Sequence, residues 1–171
     1  MITPTFWFER KFDFNFPVGL FPVIIERLRG TQPRLEFLLK NIPEEKLIHK
    51  DGKHWSIKEQ VGHLYDLEEL WYGRTGDFLS GNETLRAADL NNTKTEQANH
   101  NSQSIAELLK QFSDARNKLI VKVENIDEAT ASKTALHPRL QKPMRLVDSL
   151  FFVAEHDDHH LTKIRELLKA D

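Results

Sequence analysis

The chain has 171 residues, with 24 Lys and Arg against 26 Asp and Glu, a formal net charge of −2 and no cysteine. A chain of this length is expected to fold as one domain over residues 1–171 and to bury a core without covalent staples. The balanced charge offers no basic stripe for nucleic acid or an anionic membrane, and the absence of thiols excludes disulfides, thiolate metal sites and a cysteine nucleophile.

The opening stretch, MITPTFWFERKFDFNFP, is aromatic but broken by Glu9, Arg10, Lys11 and Asp13, so it does not read as a signal peptide. No stretch reaches the roughly 18 apolar residues needed to cross a bilayer, and a cytoplasmic location is expected. The phenylalanines of FDFNF alternate as in a short strand. An extended arm that packs its rings on the core accounts for them as well.

Four long helical segments follow. From Pro17 to about Asn41, Leu20, Val23, Ile24, Leu28, Leu35, Leu38 and Leu39 recur at three- and four-residue steps, with a kink expected near Gly30-Thr31 because of Gly30 and Pro33. Ser56-Ile57-Lys58-Glu59 is a capping box that opens a second helix running to about Leu79. Ser104-Ile105-Ala106-Glu107 opens a third, carrying Leu108, Leu109, Phe112, Leu119, Ile120 and Val123. The fourth follows Pro143 and continues to about Lys169. Asn82 to Gln103 is a connection long enough to cross over a bundle, and Ala129 to Lys142 reads as a loop. The pattern predicts an all-α four-helix bundle, a fold that builds its sites from inward-facing side chains.

The fourth helix raises a chemical question. Its apolar seam runs Leu146, Leu150, Val153, then His156 and His160, then Ile164 and Leu167. Side chains at i and i+4 lie one turn apart, close enough for two imidazoles to hold one ion. Unpaired polar groups in a seam cost free energy, so a pair at ligand spacing points to a metal more than to two satisfied core histidines. His159 projects with Phe152, Glu155, Lys163 and Glu166 on a mostly polar face and is not expected to ligate. The pattern His-Asp-x-x-His resembles the zincin motif His-Glu-x-x-His, but aspartate is one methylene shorter and few residues follow His160 to supply a third ligand. That ligand has to come from upstream. His63 borders the core stripe Ile57, Val61, Leu64 and Trp71 of the second helix and is the candidate. His54 precedes the cap, while His49, His100 and His137 fall in connections.

The block Trp55-Ser56-Ile57-Lys58-Glu59-Gln60, Gly62-His63-Leu64 and Asp66, with the later Glu155-His156-x-x-His159-His160-Leu161 and Ile164, resembles the DinB/YfiT-like family of metalloenzymes. The similarity runs over nearly the whole chain. It implies an up-down-down-up four-helix bundle with one divalent metal, zinc or nickel, on positions matching His63, His156 and His160. The wider superfamily includes thiol S-transferases that use bacillithiol or mycothiol, and a mycothiol-dependent isomerase.

Three neutral imidazoles leave the charge of an ion uncompensated and a coordination position open, as in catalytic sites. Such an ion would acidify water for hydrolysis or bind a thiol as thiolate. Asp66, one turn after His63, and Asp157, beside His156, are catalytic candidates to orient a ligand ring or accept a proton. The bland alternative for both is an ordinary carboxylate paired with a cation. Tyr65, Trp71 and Tyr72 would line a pocket or simply fill the core. The expected function is a metal-dependent enzyme, with thiol S-transfer ahead of hydrolysis and a small-molecule substrate, including a low-molecular-weight thiol. A non-catalytic metal-binding or stress-response domain is the alternative, and the sequence leaves a homodimer open.

Overall fold

The structure is a computed structural model that describes residues 4–169. Helix α1 (Phe21–Arg29) and helix α2 (Thr31–Leu39) form the first long segment, jointed where the kink is expected. Gly30 keeps a helical backbone and its N–H reaches the Glu26 carbonyl at 2.9 Å. Pro33 then cannot donate to the preceding turn, and the ladder breaks there. A short helix α3 (Glu44–Ile48) leads to α4 (Ile57–Leu79), whose N-terminus carries both halves of the capping box: Ser56 accepts from the Glu59 N–H while the Glu59 carboxylate accepts from the Ser56 N–H.

The long connection after α4 contains α5 (Thr93–Gln97) and a 3-10 turn at His100–Ser102. Helix α6 (Ile105–Val123) starts on Ser104, whose hydroxyl accepts from the Glu107 N–H. Between α6 and the last helix the expected loop holds α7 (Glu128–Ala131) and an antiparallel hairpin, β1 (Thr134–His137) with β2 (Lys142–Arg145). Four-residue strands leave too little alternation to stand out in a sequence. Pro143 lies in β2, ahead of the last helix and opposite Leu136, whose own N–H and C=O bond Glu83 and Leu85 on the other side, so this pair needs no donor from the proline. Helix α8 (Leu146–Lys169) begins three residues later, with the Asp148 carboxylate taking the Arg145 N–H at 2.8 Å.

Side-chain contacts give the helix directions. Gln60 of α4 meets His160 of α8 while Trp71 meets Phe152, so these two run antiparallel. Glu68 meets Arg116 and the Tyr72 carbonyl meets Lys122, so α4 and α6 run parallel. Phe16 meets Phe151 and Arg34 meets Asp158, so the first segment runs with α8. The order is up, down, down, up, and the long stretch before α6 is the crossover that two parallel neighbours require.

The apolar interior has two halves. One holds Leu28, Trp71, Phe78, Leu119, Val147 and Val153; the other holds Leu35, Leu39, Val61, Leu64, Phe112 and Ile164. On each of the four long segments a polar residue sits at the junction: Thr31, then His63 and Glu68, then Arg116, then His156, Asp157 and His160, all buried. A polar layer thus crosses the middle of the bundle. At the end beside the hairpin the N-terminal arm lies extended, with Phe12 buried and its ring 4.8 Å from that of Phe152. No helix among the described residues is long and apolar enough to cross a membrane.

Candidate metal centre

His63, His156 and His160 converge in that polar layer, each 4–5% exposed, with one ring nitrogen from each lying within 4.8 Å of the others. The pair on α8 is closest: the two Nε2 atoms are 3.1 Å apart. Two nitrogens on one tetrahedral ion at about 2.0–2.1 Å stand roughly 3.3 Å apart. The separation of that pair therefore already fits a shared ion.

The outer nitrogens fix the tautomers. His160 Nδ1 lies 2.6 Å from Oε1 of Gln60, one turn before His63 on α4, and donates to it. His63 Nδ1 lies 3.0 Å from Thr95 Oγ1 on α5, and that hydroxyl donates in turn to Asp66 Oδ2 at 2.8 Å. Since the hydroxyl proton goes to the carboxylate, Thr95 accepts from His63 Nδ1–H. Both rings then turn an Nε2 lone pair inward, the arrangement in which partners behind a ligand set its orientation and basicity. His156 Nδ1 is buried with no hydrogen-bond partner. Burial, reinforced by the neighbouring imidazoles, pushes His156 and His160 well below the usual histidine range, and burial pushes His63 down to about 4 against the pull of Asp66. All three are neutral donors at neutral pH, as a divalent ion requires.

Asp66 lies behind His63, linked to it through Thr95, and its Oδ2 also meets His100 Nε2 at 2.8 Å. His100, which the sequence places in a connection, is buried here. Gly62 makes room for its ring: a Cβ at that position would come within 2.2 Å of it. Asp157 points elsewhere. It is fully buried on α8, accepting from Arg116 Nη1 at 2.5 Å, Arg116 Nη2 at 3.1 Å and Thr31 Oγ1 at 2.8 Å. Arg116 is shared with Glu68, whose Oε1 lies 2.6 Å from Nη2. Burial opposes the charge on Arg116, but the two carboxylates outweigh it and hold its pKa up.

The three histidines form the floor of a cavity of about 180 Å³. Trp55 covers one side, its ring 4.6 Å from that of His63, and Trp7 of the arm covers another, 5.0 Å from His156. Trp71 lines the cavity too, whereas Tyr65 and Tyr72 face Lys94 and Lys122 on another side of α4. His159 does not join the converging three, yet it borders the cavity because Trp7 folds across it, 5.7 Å away. Gln60, Thr95, His100 and the two tryptophans Trp7 and Trp55 had no periodic signal that marked them. Gln60 and Trp55 nevertheless stand in the block at the start of α4, Gln60 one turn from His63 on the same helix.

A comparison with curated proteins finds none that matches. Among solved structures, YfiT from Bacillus subtilis, described as a probable metal-dependent hydrolase with an unusual four-helix bundle topology, aligns at a TM-score of 0.81 and 17% identity over 93% of this chain and 91% of its own. The mycothiol-dependent maleylpyruvate isomerase aligns at 0.68 and 12% identity over 88% of this chain, which spans 61% of that protein. Identities this low establish shared fold alone. The family model for the DinB superfamily matches residues 27–164, which takes in the joint between α1 and α2, the crossover and all three converging histidines; the chain belongs to the DinB superfamily.

Proposed function

We propose that the protein is a metal-dependent enzyme in which His63, His156 and His160 hold one divalent ion, zinc or nickel, and that it transfers the sulfur of a small thiol to an electrophilic substrate. The observation that carries this reading is the convergence of three neutral imidazoles on the floor of a cavity, with no fourth side-chain ligand among the described residues. A site built only for stability would be closed by a fourth ligand. An ion bound there would act as a Lewis acid that lowers the pKa of a coordinated thiol or water, so that a nucleophile forms at neutral pH.

The chain's own residues do the rest. Gln60 and Thr95 hold two of the rings with their Nε2 atoms toward the cavity. Trp7, Trp55 and Trp71 line the site and give it apolar walls for the body of a substrate. The chain has no cysteine, so the thiol is a cosubstrate and not a side chain. Hydrolysis is the second reading, favoured by the place of His159: it borders the cavity outside the triad with an imidazole that is unprotonated at neutral pH and open to a proton from water.

Elemental analysis of untagged protein followed by a thiol-transfer screen with a chromogenic electrophile tests this. Stoichiometric metal and thiol-dependent turnover lost on chelation support S-transfer. Turnover of esters or amides without thiol supports hydrolysis, and full occupancy with neither activity supports a binding role.

A further inference from the structure

One corner of the same cavity has more hydrogen-bond donors than acceptors. Arg74 of α4 is 3% exposed; its Nε donates to the Arg86 carbonyl at 3.0 Å, and its Nη1 lies 3.0 Å from His137 Nε2. The other nitrogen of His137, Nδ1, accepts from the Leu140 N–H at 3.1 Å. A neutral imidazole has one acceptor nitrogen, so these two donors compete for it. Trp71 Nε1 and Arg139 Nη2 are buried beside them with no hydrogen-bond partner at all. Buried donors left in this state are costly, and an excess of them needs an acceptor from outside.

The charges agree. Among the described residues neither Arg74 nor Arg139 has a carboxylate in ion-pair contact. Asp77 is committed to Arg86 at 2.8 and 3.0 Å, and Asp89, which borders the cavity, accepts from the Asn91 and Thr93 backbone. Burial and then the positive charge of Arg139 push Arg74 down to about 10, still charged at neutral pH. The corner is one indole away from the histidines: the Trp71 ring lies 5.7 Å from that of His156 and 5.5 Å from the Arg74 guanidinium. Phe8 and Phe152 stack on Arg139 at 5.2 and 5.8 Å and give the corner apolar walls.

We propose that Arg74, Arg139 and Trp71 form an anion subsite that holds a carboxylate of the substrate or cosubstrate while its reacting group lies at the three histidines. A planar carboxylate matches the fork of a guanidinium and supplies the acceptor that this corner lacks. The cavity, about 180 Å³, has room for a small aromatic or aliphatic acid. This deepens the reading of the cavity as an active site, but the subsite itself needs no metal.

The test uses the full chain, chelated and zinc-loaded, with benzoate as the probe and benzamide as its neutral counterpart. The readout is the indole N–H resonance of Trp71, assigned by Trp71→Phe. Benzoate should shift that resonance in the chelated protein, benzamide should not, and Arg139→Gln and Arg74→Gln should each weaken binding at least roughly tenfold. Among the described residues the Arg139 side chain has no hydrogen-bond partner, so its variant remains informative if Arg74→Gln fails to fold. Unchanged benzoate affinity in Arg139→Gln, no binding at millimolar benzoate, or binding only to zinc-loaded protein would overturn the subsite. Inorganic phosphate displacing benzoate with higher affinity would overturn the carboxylate assignment. Benzoate binding that depends on Arg139 in a protein unable to take up zinc would sink the metal reading and leave the subsite standing.

Discussion

Asp157→Ala removes the carboxylate that joins α8 to α6 and to the α1–α2 joint. Its three hydrogen bonds all go to buried partners, two to Arg116 and one to Thr31. Breaking a buried ion pair from one side typically costs about 3–5 kcal/mol, because the remaining charge stays buried. Here Glu68 continues to neutralise Arg116 through Oε1 and Oε2, so the lower end applies, about 3 kcal/mol. For a chain of this size that is a fall in melting temperature of roughly 6–12 °C. Arg116→Met should cost more, toward about 5 kcal/mol, since it strands two carboxylates at once. Circular-dichroism melts of chelated protein at neutral pH read both effects, and metal stoichiometry on the folded variants should be unchanged. The reasoning fails if Asp157→Ala melts like the parent, or if it loses metal or turnover at an unaltered melting temperature. Either outcome would return Asp157 to the catalytic role that its place beside His156 suggests.

His63→Ala, His156→Ala and His160→Ala should each strip metal from the protein while His159→Ala retains it, read by elemental analysis; metal loss in His159→Ala alone would reassign the ligands. Thr95→Ala should weaken zinc binding by about 10–100-fold without unfolding the chain, measured by competition with a chromogenic chelator. Chelated protein should keep a cooperative helical melt, and added zinc or nickel should raise its midpoint by mass action; a chelated chain without helical signal would make the ion a structural element. Acid should destabilise the chelated protein between about pH 6.5 and 4. His63, His137 and His159 are held down to about 4, chiefly by burial, so in that window the unfolded chain binds more protons than the folded one. That stability is complete above the unfolded value and disappears as pH falls through the folded one, and a melting temperature flat over this range would contradict it.

The helices and their ends are legible in the chain because the forces that specify them are local. Three- and four-residue apolar spacing, a serine followed three residues on by glutamate, and a proline in an early turn act within one or two turns of backbone. The same locality makes the pairing of His156 and His160 visible, since i and i+4 share a face in any helix, and it marks His63 as the histidine bordering the stripe of α4. What surrounds those residues was not legible. Arg116 reaches Glu68 across 48 positions and Asp157 across 41, His63 meets Thr95 across 32, and Arg74 meets His137 across 63. Hydrogen bonds between distant segments impose no period on the sequence, so they leave no mark there. The tertiary structure alone decided that Asp157 faces Arg116 while Asp66 stands behind His63. It also decided that a connection residue, His100, is buried, and that the arm carries Trp7 over His159 to give the cavity a wall. Helical phase says which way a side chain points, and only the packing of the other segments says what it meets.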